Sequence, residues 1–188
     1  MAHAALLVMD VQNGVVERVP DHAESLLAAL ARATTTARGA GVPVVYVRVA
    51  FRPGGAEISR RNQRFSAIGS AGMGVDDPAT QIHPAVAPQP DDVVVIKKRV
   101  SAFVGSDLDV VLRSLEVDSL VLTGIATSGV VLSTVRQAAD MDFDLTVLHD
   151  GCADSDAEVH RVLLDKVFPR QAAVLSTNEW VEHINSSR

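Results

Sequence analysis

Six short runs of Val, Leu, Ala and Ile recur along the chain: Ala5–Met9, Val44–Val49, Val93–Lys97, Ser119–Thr123, Leu145–Leu148 and Ala172–Leu175. Most are apolar without alternation, which predicts strands covered on both faces, as in a parallel sheet. Helical patterns fall between them. Leu26, Leu27, Leu30, Ala33 and Ala37 share one face of the first, with Asp21 and Glu24 placed as a capping box and Gly39 and Gly41 beyond its end. A second starts near Ser106 and buries Leu108, Val111, Leu112 and Leu115. A third covers Gly129 to Asp140, with Ser128 or Thr127 as its cap. A fourth starts at Ser155, with Glu158 three residues on, and stops before Pro169. A last one follows Thr177 and holds Trp180, expected to be a packing residue.

Strand alternating with helix predicts right-handed crossovers and an α/β fold of three αβα layers, a six-stranded, mostly parallel, doubly wound, Rossmann-like sheet. The alternation fails from Phe51 to Pro90, a stretch rich in Gly and Pro with one helix expected around Glu57–Phe65. A stretch of that length is usually a lid, a functional loop or a subunit contact. Phe51, Phe65, Ile68 and Met73 suit a subunit contact and could equally close over the pocket as a lid. Gly69, Gly72 and Gly74 do not form a phosphate loop, because no Lys-Ser or Lys-Thr follows them. No repeat or boundary divides the chain, so residues 1–188 read as a single domain.

Composition removes several function classes. A formal net charge of -6 argues against a nucleic-acid surface. No apolar run approaches membrane-spanning length, and no signal-peptide layout fits ahead of the first strand. Cys152 is the only cysteine, so no internal disulfide forms and a reducing, cytoplasmic location is expected. The six histidines are scattered without ligand spacing, so neither a metal nor an organic cofactor is expected.

Ligands of doubly wound sheets bind beyond the carboxyl ends of the strands. Those ends carry Asp10-Val11-Gln12-Asn13, the stretch from Arg48 to Phe51, Lys97 through Phe103, Gly124 through Thr127, and Asp150-Gly151-Cys152. Each has a plain structural use. Asp10 could cap a turn, Lys97 could lie along the surface, and Gly124 could serve a tight turn. Their joint placement points to one crevice holding an acid, a cation and a helix start.

Three segments resemble motifs of the isochorismatase-like, or cysteine hydrolase, superfamily. Ala5-Leu-Leu-Val-Met-Asp10-Val-Gln12-Asn13 resembles its opening strand. Lys97-Lys-Arg99-Val-Ser101-Ala102-Phe103 resembles its Lys-x-Arg-x-Ser-Ala-Phe motif. Gly124-Ile-Ala-Thr-Ser-Gly-Val130-Val-Leu-Ser-Thr134, followed by Ala138, resembles its Gly-x-x-Thr-x-x-Cys-Val-x-x-Thr motif, and Asp150 to Asp154 its fifth-strand ending. The resemblance implies catalytic roles for Asp10 and Lys97 and a non-proline cis peptide at Ile125-Ala126. It implies substrate or oxyanion binding by Gln12, Ile125, Ala126, Gly129, Arg99 and Phe103. It puts the nucleophilic cysteine at Val130, which cannot form an acyl-enzyme.

The branch of that family without the thiol cleaves a vinyl ether. Its Asp protonates the vinyl carbon and water attacks the cation, so Asp10 and Lys97 would suffice in kind. Arg48, Arg52, Arg60, Arg61, Arg64 and Arg99 are candidates for substrate carboxylates. Val130 is bulkier than the Gly of that branch, which argues against a cyclic diacid. The expectation is a hydrolase of a small molecule, self-associating as a dimer or tetramer. Two alternatives stay open: a catalytically silent ligand-binding or scaffold homologue, and a Cys152-dependent amidohydrolase. Ser128, Ser133 and Thr134 do not share the direction of Val130 on the helix and are weaker nucleophile candidates.

Overall fold

A computed structural model describes residues 3–68 and 72–186. Gly69 lies outside them, as does the side chain of Ile68. The described residues hold six strands: β1 (Ala4–Met9), β2 (Val44–Val49), β3 (Val93–Lys97), β4 (Ser119–Ile125), β5 (Asp144–Ala153) and β6 (Ala173–Leu175). They form one sheet in the order β3-β2-β1-β4-β5-β6, and every pairing is parallel. The order reverses beside β1, so the switch point lies at the carboxyl ends of β1 and β4.

The helices are α1 (Asn13–Val16), α2 (Pro20–Gly39), α3 (Gln63–Ile68), α4 (Leu108–Ser114), α5 (Leu132–Asp140), α6 (Ala157–Val162) and α7 (Thr177–Ser186). Leu7, Met9, Val45, Val47 and Leu122 meet Leu108, Leu112, Val131, Val135 and Phe168 on one face of the sheet. Leu6, Val8, Tyr46 and Val121 meet Leu26, Leu30, Ala33 and Trp180 on the other. Alternate residues of β1, β2 and β4 feed opposite cores, which is why those strands are largely apolar. Trp180 is a packing residue, as its sequence context suggested.

Several boundaries differ from expectation for identifiable reasons. Pro20 occupies the first turn of α2, where a missing N–H costs nothing, and Asp21 makes no capping bond. α6 is capped by Asp156, not Ser155; its carboxylate accepts the N–H groups of Glu158 and Val159. β5 does not stop at Leu148. Between Leu122 and Gly124 the register on β5 jumps from Val147 to Cys152, so an irregularity carries His149-Asp150-Gly151 and pairing resumes through Ala153. Those polar residues interrupted the apolar run and hid the strand's continuation.

The long connection between β2 and β3 folds back over the strand ends. Its helix is α3, which starts later than Glu57; the Asn62 side chain accepts the Phe65 N–H. Phe51 and Phe65 meet edge to face at 5.5 Å and pack with Val49, Ile58, Met73 and Val100. These aromatic groups are spent inside the chain, closing over the strand ends.

Candidate active site

Asp10 is the first residue after β1 and lies at φ 55°, in the left-handed region that a residue with a Cβ adopts at a cost. Beside it, Gly124 sits at φ 146°, and a Cβ there would run into the Met9 carbonyl. The β1–β4 approach therefore requires glycine, and it brings the end of β4 against Asp10. The peptide Ile125–Ala126 is cis. After it the chain makes a π turn, Thr127–Val131, before α5 begins. That turn is not capped by its own hydroxyls. Ser128 donates its N–H to Oδ2 of Asp154 at 2.7 Å, and Thr127 Oγ1 lies 2.8 Å from Nδ1 of His160.

Lys97 ends β3 with its side chain almost fully buried, 2% exposed. Its ammonium donates to the carbonyls of Arg99 (2.9 Å) and Val100 (3.0 Å) and stands 2.9 Å from Oδ2 of Asp10. Three donors thus meet three acceptors. Oδ1 of Asp10 is buried and has no hydrogen-bond partner among the described residues. Burial raises the Asp10 carboxyl above its ordinary pKa; Lys97 and, less strongly, Arg64 pull the other way without cancelling it.

Both residues open onto a cavity of about 250 Å³. Val15, Val19, Val49, Phe65, Met73 and Val100 give it apolar walls, and Ile125, Ala126 and Val130 form the side nearest α5. Val130, 2% exposed, presents its methyl groups where the resemblance put a thiol. Asp154, Ser128 and Ser155 add polar edges, and Arg18 and Arg64 stand at the rim. Both guanidinium groups are exposed and form no hydrogen bond or ion pair with another described residue.

The other expected site residues are used elsewhere. Gln12 does not line the cavity. Its amide donates to the Val49 (3.0 Å) and Thr80 (2.8 Å) carbonyls and accepts from the Val49 N–H, tying β2 and the long connection to β1. Arg99 turns away to the carbonyls of Glu57 and Lys98. Phe103 packs 6.1 Å from Phe143. The Gly129 N–H is taken by the Ala126 carbonyl, so it is not free for an anion. Among the Arg candidates, Arg48 holds the carbonyls of Val75 and Thr80, Arg52 pairs with Glu57, and only Arg64 lines the cavity.

Arg18 and Asp154 are the residues that sequence reasoning passed over. The signal was position. Arg18 follows the first strand within the connection that must border the crevice, and Asp154 stands at the end of the fifth strand. Cys152 lies in the β4–β5 ladder opposite Gly124, off the main cavity. It lines a second cavity with His22, His149 and His160. Burial, reinforced by Asp150, pushes its thiol up to about 12, the opposite of what a nucleophilic cysteine needs.

An isochorismatase domain model matches residues 4–179, and the chain belongs to the isochorismatase family of hydrolases. It is 31% identical to the uncharacterized isochorismatase family protein YecD of Escherichia coli O157:H7, over 93% of each chain. It is 33% identical to the phenazine biosynthesis protein PhzD of Pseudomonas fluorescens, over 95% of this chain and 84% of that one. An isochorismatase family protein from Burkholderia thailandensis superposes with a TM-score of 0.89 at 29% identity, covering 98% of this chain and 97% of the other. The chain is also similar to the N-carbamoylsarcosine amidase of an Arthrobacter species, 28% identical over 87% of this chain and 62% of that one. No helix among the described residues is long and apolar enough to cross a membrane.

Proposed function

We propose that the chain hydrolyses a small organic carboxylate without a protein nucleophile, with Asp10 as the proton-transfer residue and Lys97 as its charge partner. The observation that carries this reading is Oδ1 of Asp10: buried, unpartnered among the described residues, and belonging to a carboxyl that burial inclines toward the protonated form. A proton donor with one oxygen anchored on Lys97 and the other unpartnered, on a residue that lines the cavity, is suited to protonate an electron-rich carbon or a leaving oxygen. Vinyl-ether hydrolysis needs that proton and a water, and no thiol. Arg18 and Arg64 supply forked donors for the substrate's carboxylate. The walls of valine, Phe65 and Met73 suit an apolar body, and Val130 favours a slim one.

Placement of Cys152 outside the cavity and its raised pKa favour this reading over a Cys152-dependent amidohydrolase. The test is a panel of vinyl ethers, carbamoylated amines and cyclic amides given to the wild type and to Asp10→Asn. Turnover by the wild type that Asp10→Asn loses supports the proposal. No turnover on any class leaves the silent binding homologue in its place, and full activity in Asp10→Asn removes the role of Asp10. Self-association belongs to the same proposal; a monomeric mass by light scattering rejects it.

A further inference from the structure

We propose that Asp154 is the base that accepts a proton from the attacking water, so that Asp10 and Asp154 carry the hydrolysis between them as acid and base. The inference rests on the hydrolase reading above and assigns it a second reacting group.

Asp10 follows β1 and Asp154 follows β5, with β4 between them; Met9 pairs with Gly124, and Gly124 with Cys152, so both carboxylates leave the sheet at nearly one level. Two strand spacings separate their backbones by about 10 Å. Both line the same cavity, whose wall between them is Ile125, Ala126 and Val130. Two carboxyl groups that flank a scissile bond with about 6.5–9.5 Å between them leave room for a water on the far side, as inverting glycoside hydrolases do. A thiol at position 130 would attack in its own right; the methyl groups of Val130 cannot, so the attack falls to water.

Asp154 is held for the task. Oδ2 accepts the Ser128 N–H at 2.7 Å and Oδ1 the Asp156 N–H at 3.3 Å. A carboxylate oxygen accepts two hydrogen bonds, so each retains capacity for a water. Burial opposes the charge on Asp154, but the bonds from Ser128, Asp156 and Ser155 outweigh it and hold the carboxyl below its ordinary pKa. Asp10 is shifted the other way, and environments that push two carboxyls apart divide them into acid and base. A weak base suffices, because a cation is a strong acceptor for water. The charged and titratable groups around Asp154 are Asp10, Lys97, Arg18 and Arg64 across the main cavity. Behind it stand His22 and Arg32 from α2, His149 and Asp150 from β5, and His160 from α6.

The balance closes for a vinyl ether. Protonated Asp10 gives its proton to the terminal vinyl carbon, leaving a cation stabilised by the ether oxygen. Water adds to the ether-bearing carbon, where that cation is centred, and passes a proton to ionised Asp154, giving a hemiketal. The hemiketal hydroxyl then returns a proton to Asp10 as the carbon–oxygen bond breaks, and Asp154 protonates the departing oxygen. An alcohol and a ketone leave, and both carboxyls are back in their starting states.

The probe is 2-methoxyacrylate, with pyruvate release read through lactate dehydrogenase. Asp154→Asn keeps an oxygen for the Ser128 N–H and removes the base. We expect its kcat to fall about 10²–10⁴-fold with KM unchanged. The acidic limb of the wild-type pH profile should vanish with it. Formate should restore part of the rate to Asp154→Ala, which leaves room for it, and none to Asp154→Asn. Wild-type kcat and an intact acidic limb in Asp154→Asn overturn the inference alone, with Asp10→Asn still marking the hydrolase reading. A wild type inactive on 2-methoxyacrylate overturns the vinyl-ether balance and the inference with it, while turnover elsewhere on the panel preserves the broader reading. If Asp154→Ala does not fold, Asp154→Asn decides.

Discussion

Lys97 reaches from β3 past β2 to place its ammonium 2.9 Å from Oδ2 of Asp10, and neither side chain is more than 10% exposed. The pair is asymmetric: Lys97 has spent all its donors, while Asp10 keeps one oxygen free among the described residues. A buried pair of this kind contributes little net stability, because desolvation offsets its attraction. Its value lies in fixing one carboxyl oxygen while the other stays free to carry the proton.

The pH profile should show that aim. Burial raises the Asp10 pKa, so the protonated, donor-competent form persists above the ordinary carboxylate range and is lost as pH rises through the shifted value. The alkaline limb of kcat for the wild type should therefore lie above pH 4, the neighbourhood of an unperturbed Asp at about 3.9. An alkaline limb at the unperturbed value would show that Lys97 cancels the effect of burial.

Lys97→Met separates the two effects. It removes the attraction that lowers the Asp10 pKa, so the alkaline limb should move further up. Stability should fall by about 3–5 kcal/mol where Asp10 is ionised, because a buried charge loses its partner. Lowering the pH protonates Asp10 and should recover much of that loss. Chemical denaturation of both proteins across the pH range measures it; a loss independent of pH would mean that Lys97 matters by packing alone.

Gln12 was expected in the site from its place beside Asp10, and the structure uses it as a bracket. Its amide makes three buried hydrogen bonds to the backbones of Val49 and Thr80. Each is worth about 0.5–1.5 kcal/mol net, and removing the amide leaves buried backbone groups unpaired. Gln12→Ala should thus cost about 2–4 kcal/mol in denaturant unfolding. Asp10-dependent turnover of the folded fraction should persist. Full stability with lost activity would return Gln12 to the substrate.

The difference between these residues marks what the sequence made legible. Strand ends in a doubly wound sheet are fixed by topology, so the sequence pattern alone brings Asp10, Lys97 and the Ile125–Val130 turn together. Where a side chain turns after leaving a strand depends on backbone groups supplied by distant segments, which no local pattern records. Arg99 meets the Glu57 carbonyl and Gln12 the Thr80 carbonyl, both in the connection whose path the pattern could not trace. Asp154 stood in the fifth-strand ending that the resemblance marked, but the apolar run stopped at Leu148, so no local pattern showed β5 continuing to Ala153 and bringing Asp154 to the crevice.

Cys152 offers a check on the thiol-independent reading. Its thiol is buried in the sheet and pushed up to about 12, so almost none is ionised at neutral pH. Iodoacetamide should leave activity intact, and Cys152→Ser should retain kcat/KM while losing about 1–2 kcal/mol of stability for exchanging a buried thiol for a more polar hydroxyl. Inactivation at neutral pH, absent in Cys152→Ser, would make the thiol a participant.

Val130 decides what fits beside Asp10. Its side chain is buried in the core below α5 and also lines the cavity, so trimming it acts on both. Val130→Gly removes packing and adds a flexible residue in the π turn, which together should cost about 2–4 kcal/mol. The same change enlarges the cavity that Asp10 lines. One methylene in an apolar pocket is worth about 10–200-fold in discrimination. A ring-bearing vinyl-ether carboxylate should therefore gain at least about tenfold in kcat/KM relative to 2-methoxyacrylate in Val130→Gly. Competition between the two substrates in one reaction measures the ratio without interference from the fraction folded. An unchanged ratio would move the size limit to the Phe65–Met73 side, where the long connection closes over the pocket.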